Sequence, residues 1–192
     1  MLKKIFMIFF IVSMVAQVKL SWGDTYNFRF TKWGMTPAEV ISSEKMDPIE
    51  KDEKMIKYKT QILDKNVELL YLFAQNKLIG ASYRLDENYL NSERFIKAYA
   101  RFKEELIKKY GPPNKEITNW KNDAFKSDRN KWGIALSLGY LEYFTFWETP
   151  GTTVSCGLKE NNYYVLCSVE YWSVELSNLL DIKNNGDKLD PF

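Results

Sequence analysis

Apolar residues recur along this chain with two different periods, and the switches between them mark out its elements. Tyr26-Asn27-Phe28-Arg29-Phe30 alternates apolar and polar positions and predicts a short strand. Thr36-Pro37-Ala38-Glu39-Val40 then reads as a helix start: Thr36 as N-cap, Pro37 at the first helical position, and Glu39 placed to close a capping box. The helix is short, because Asp47-Pro48 follows. Three strand-like runs, residues 56–63, 67–73 and 78–85, are separated by Asp64-Lys65-Asn66 and Gln75-Asn76-Lys77. Connections this short imply an antiparallel meander.

Residues 91–110 carry the helical period. Phe95, Tyr99, Phe102, Leu106 and Tyr110 form one stripe, Ile96 and Ile107 widen it, and charged residues fill the other positions. Gly111 and Pro112-Pro113 end it. Residues 134–138, 140–147, 152–158 and 163–172 then read as strands, with Thr149-Pro150-Gly151 and Asn161-Asn162 as turns. Strands grouped between helices predict an α+β fold, with antiparallel β-meanders packed against one long and one short helix. A helix followed by a meander occurs twice, so residues 24–88 and 89–173 read as two halves of one domain (24–192), with a tail over 174–192.

Upstream of all this, Lys3 and Lys4 precede an apolar run, Ile5-Phe6-Met7-Ile8-Phe9-Phe10-Ile11-Val12, that continues to Ala16. A basic head and about a dozen apolar residues have the form of a secretory signal peptide. The run is shorter than the roughly 20 residues a permanent membrane helix needs. Ser21 and Gly23 supply the small residues a signal peptidase requires, so residues 1–23 are expected to be removed near Gly23. Cleavage after Ala16 places Met14 at the wrong position, and an uncleaved N-terminal anchor is the competing reading. The expected compartment is periplasmic or extracellular, with no permanent span after cleavage.

Loss of that segment changes the charge. The chain has 27 Lys plus Arg and 25 Asp plus Glu; without Lys3, Lys4 and Lys19, 24 basic residues face 25 acidic ones. Charges alternate in sign, as in Glu50-Lys51-Asp52-Glu53-Lys54, and no basic cluster of the kind that neutralises phosphates is present. Nucleic acid is therefore not an expected partner. There is no His at all, which removes the usual Ser-His-Asp and Cys-His arrangements, most zinc sites and the commonest general base near neutral pH. No metal, cofactor or catalytic residue is assigned.

Cys156 and Cys167 flank Asn161-Asn162, and a hairpin centred on those two residues places the sulfurs directly opposite each other. In an oxidising compartment that arrangement favours a disulfide worth about 2–3 kcal/mol; two buried free thiols are the alternative. Tyr140, Tyr143, Phe144, Phe146 and Trp147 make one strand unusually aromatic. If Tyr143 and Trp147 face outward they are the binding patch; otherwise they pack beneath a helix.

The segment Phe30-Thr31-Lys32-Trp33-Gly34-Met35-Thr36-Pro37-Ala38-Glu39-Val40 resembles the start of a group of small exported bacterial proteins without an assigned role. In these an aromatic strand enters Trp-Gly-Met-Ser/Thr-x-x-Glu-Val. The likeness extends to Tyr71-Leu72-Phe73, Asn76-Lys77-Leu78, Lys109-Tyr110-Gly111, Trp120-Lys121-Asn122-Asp123 and Trp132-Gly133. A second resemblance, through Gly34-Met35-Thr36 and Val40, is to small outer-membrane assembly lipoproteins and β-lactamase-inhibitor-like domains, where a short helix pair packs on a meander. No Cys lies near the junction, so lipid anchoring does not carry over. These features imply a non-enzymatic exported domain that binds a protein or envelope component. Two alternatives stand beside it: a carboxylate-based cell-wall hydrolase using Glu142 and Glu148, and a small-ligand or lipid carrier.

Overall fold

The computed structural model describes residues 26–180, and the expected signal segment and the end of the tail lie outside them. Its elements are α1 (Pro37–Ser43), β1 (Glu50–Lys51), β2 (Met55–Ile62), β3 (Lys65–Ala74), β4 (Lys77–Leu85), α2 (Glu93–Tyr110), β5 (Lys115–Trp120), α3 (Trp132–Ser137), β6 (Leu141–Thr149), β7 (Thr152–Asn161) and β8 (Tyr164–Ser173). All eight strands belong to one antiparallel sheet in the order β1-β2-β3-β4-β8-β7-β6-β5. With three helices on it, the fold is mixed α+β. Two meanders, β1–β4 and β5–β8, meet through their last strands, where Gly80–Arg84 pairs with Trp172–Ser168.

The inward face follows from the register. One row of partners runs Ile56–Tyr71–Ala81–Tyr171–Val154–Trp147, and the next runs Tyr58–Leu69–Tyr83–Val169–Cys156–Thr145. Nearly all of these side chains are buried, and they share one core with Val40 of α1, Leu136 of α3 and Phe95, Tyr99, Phe102 and Leu106 of α2. The α2 stripe thus packs as its period requires.

Local chemistry sets the boundaries. Thr36 accepts from the Glu39 N–H while the Glu39 carboxylate accepts from the Thr36 N–H, so both bonds of the capping box form. Three hairpins turn through residue pairs at positive φ: Leu63-Asp64, Gln75-Asn76 and Asn162-Tyr163. Two such residues in succession match the right-handed strand twist.

Four expectations are corrected. Residues 26–30 make only an isolated bridge, Phe28 to Thr31, because Arg29 turns back at φ 49°. Of residues 134–138, 134–137 are helical, as part of α3, and Leu138 caps it; the first strand of the second meander is the polar segment β5. The helices therefore number three among the described residues, where one long and one short were expected. Finally, the cysteines are free buried thiols with no disulfide. The last turn sits one residue later than Asn161-Asn162, so Cys156 pairs with Val169 and Cys167 with Leu158. The sulfurs share a face but are diagonal, two positions apart, whereas a bridge needs directly apposed Cβ atoms.

A buried ion pair closes the other end of the core. The Glu44 side chain, at the α1 C-cap, has no exposure, and both its oxygens accept from Arg29, from Nε at 2.8 Å and Nη2 at 2.9 Å. The Tyr71 hydroxyl also donates to Glu44, and Arg29 reaches the Tyr83 hydroxyl. Burial alone would lower the Arg29 pKa, but the bonds to Glu44 and Tyr83 overcome it and raise it. Burial and the Glu44 bond push Tyr71 up as well.

Candidate binding cleft

β5 ends the sheet and is mostly exposed, with only Ile117 and Trp120 partly covered. The Lys121 N–H donates straight across to the Tyr140 carbonyl, which fixes the hydrogen-bonding phase of this ladder. Alternation then turns the backbone N–H and C=O of Glu116, Thr118 and Trp120 toward the open edge. Their side chains lie on the helix face, in register with Thr145, Tyr143 and Leu141.

The N-terminal half of α2 overhangs this edge. Between them lies a cleft of about 340 Å³ with Ile96, Lys97, Ala100 and Lys103 on the helix side, Glu116, Ile117 and Thr118 on the strand side, and Tyr99 and Tyr143 between. Tyr99 and Tyr143 stack with centroids 5.4 Å apart, and the Tyr99 hydroxyl is 2.6 Å from Thr145 Oγ1. Burial raises the pKa of both phenols; at Tyr143 the Arg129 charge partly offsets it. Lys103 bridges the two walls through Glu116 at 2.6 Å.

The remaining end is closed by Arg129 and Trp132. The Arg129 guanidinium lies over the Trp132 ring at 5.3 Å, and Trp132 meets Trp120 edge-on at 5.6 Å. Gly133 makes this closure possible: a Cβ there would come within 2.8 Å of the Glu93 backbone nitrogen. The Ser92 and Ser137 hydroxyls, 2.5 Å apart, reinforce the same contact between α2 and α3.

The structure separates the two residues singled out from sequence. Tyr143 lines the cleft. Trp147 does not: it is 1% exposed, lies in the core, and donates from Nε1 to the Gly111 carbonyl at 3.0 Å. The carboxylates of the hydrolase reading do not converge. Glu142 is buried on the opposite sheet face with Lys121 and Asn119, and Glu148 lies six residues further along β6, about 20 Å away on an extended strand. Among the described residues, no three His, Cys, Asp or Glu side chains group as metal ligands. None of the described helices is long and apolar enough to cross a membrane.

Sequence reasoning missed Arg129 and Lys97 because neither belongs to a motif. The signal available was the polar run ahead of Trp120, which forms β5 and one wall of the cleft, with Trp132 beyond it at the closed end. No family model matches this chain, and no match was found among curated proteins or solved structures.

Proposed function

We propose that this chain is an exported, non-enzymatic domain that binds a protein or another envelope component, and that the cleft between α2 and β5 is its contact site. The observation that carries this reading is the coincidence of an open strand edge, an aromatic floor and cationic side chains in one groove. Edges of antiparallel sheets dock partners through main-chain bonds, and exposed aromatic and Arg side chains supply most of the energy at such contacts. The basic head and apolar run of residues 3–16 support export, as does the resemblance through Trp33-Gly34-Met35. We also read the repeated order of helix and four-strand meander as two related halves, the second carrying the binding site.

The test uses the full chain with a C-terminal tag, expressed in a bacterial host. Intact mass of the protein from the osmotic-shock fraction should correspond to a start at Asp24, and a photo-crosslinker replacing Lys97 should trap an envelope protein that one replacing Val174 does not. Recovery of the uncleaved chain in the cytosol, or identical crosslinks from both positions, overturns the reading.

A further inference from the structure

The cleft is shaped for a strand, and its charges select what that strand carries. Outward-facing N–H and C=O groups recur at Glu116, Thr118 and Trp120, two residues apart, which is the repeat an added extended chain offers in return. An added strand at this edge would send alternate side chains under α2, against Ile96, Ala100 and Tyr143. The volume, about 340 Å³, is at the small end of the range for small-molecule sites (roughly 300–1,000 Å³), and suits one or two side chains better than a large cofactor.

Charge complementarity names the chemistry. Of the cations lining the cleft, Lys103 is already paired with Glu116. Glu93 also lines the cleft, so three cations face two carboxylates and the net charge is 3 − 2 = +1; neither Lys97 nor Arg129 forms an ion pair among the described residues, and Arg129 is held in place by the Trp132 ring beneath it. Two available cations over a desolvating aromatic floor favour a carboxylate, and the planar guanidinium can accept one in a bidentate manner.

Resting on the binding role assigned above, we propose that the partner is an extended acidic peptide segment of another protein, added alongside β5 with an Asp or Glu side chain directed at Lys97 and Arg129. Main-chain bonds to β5 supply affinity; the two cations supply selectivity.

The probe is a library of random peptides displayed on phage and selected on the purified mature protein, followed by fluorescence anisotropy with the selected peptides. The expected peptides alternate β-branched or aromatic residues with others and contain an acidic residue at a fixed position. Thr118→Pro removes one outward N–H from an edge strand without touching the β5–β6 ladder, and should weaken binding at least tenfold with an unchanged circular dichroism spectrum. N-methylation of alternate peptide amides should do the same in one phase only, which tests the bonding without altering the protein. Arg129→Glu should abolish binding of the acidic peptide and restore it to a peptide with Lys at that position. Selected peptides without an acidic position, undiminished binding to Thr118→Pro and by N-methylated peptides, or self-association through β5 in place of peptide binding would overturn the proposal. Such a failure leaves the export and envelope test untouched, since that test reads location and crosslinking in cells.

Discussion

The Arg29–Glu44 pair allows a quantitative test of what closes the first half of the core. Glu44 is the more deeply held partner, with no side-chain exposure against 23% for Arg29. Removing Arg29 (Arg29→Met) leaves a buried carboxylate with only the Tyr71 hydroxyl, and breaking a buried pair in this way costs about 3–5 kcal/mol. Removing the charge from Glu44 (Glu44→Gln) leaves a guanidinium that still touches water, so the loss should be smaller, about 1.5–3 kcal/mol. The double change to Met at both positions buries no charge and should be less damaging than Arg29→Met alone, its main cost being the unpartnered Tyr71 hydroxyl. Urea unfolding measures this directly: at a slope near 2 kcal/mol/M, Arg29→Met should lower the midpoint by about 2 M. The Arg29 pKa is raised, so its contribution is fully present below the ordinary guanidinium value and is lost only as pH rises through the folded one, far above neutrality. A double Met variant at least as unstable as Arg29→Met, or an Arg29→Met deficit under 1 kcal/mol, would refute the reasoning.

Further outcomes follow from particular residues. Burial pushes the Cys167 thiol up to about 12 and Cys156 well above its ordinary value, so neither should react with iodoacetamide in the native state at pH 8. Mass spectrometry after unfolding in the alkylating reagent should then show both sulfurs modified, and a non-reduced bridge would contradict the observed register. Tyr163 is fully exposed at φ 70°, so Tyr163→Gly should stabilise the protein by about 1 kcal/mol, raising the melting temperature by a few degrees in calorimetry. The Thr36 backbone N–H and hydroxyl lower the Glu39 pKa. The capping box therefore contributes above the unfolded carboxylate value, about 4.3, and is lost as pH falls through the folded one. Glu39→Gln should flatten part of the acid limb of a stability profile followed by tryptophan fluorescence.

Much of this architecture was legible because its signals are local. The capping box at Thr36, the α2 stripe ending at Gly111, and the polar turns between apolar runs each depend on neighbours within a few residues. What escaped depends on distant ones. Residues 134–138 are too short and too evenly apolar for period alone to separate strand from helix, and the α2–α3 contact through Gly133 decides. β5 is polar because it is an edge, so hydrophobic alternation does not mark it. The hairpin register failed by one residue, since Asn161-Asn162 and Asn162-Tyr163 are both plausible turns and Tyr163 is a costly occupant of positive φ. That single step converted an expected bridge into two diagonal thiols. Of the candidate site, Tyr143 was legible as part of an aromatic strand, whereas Trp147 points the same way but lies deeper under α2.

The seam between β4 and β8 has a bearing on biogenesis. Each meander is built from neighbouring hairpins, which close quickly, while Arg84 must find Ser168 across nearly half of the chain. The first meander therefore completes its own strands while the later ones are still being made, and it waits with β4 unzipped. During that interval two apolar borders from different molecules are as complementary as those of one, which makes strand exchange the characteristic hazard of this topology.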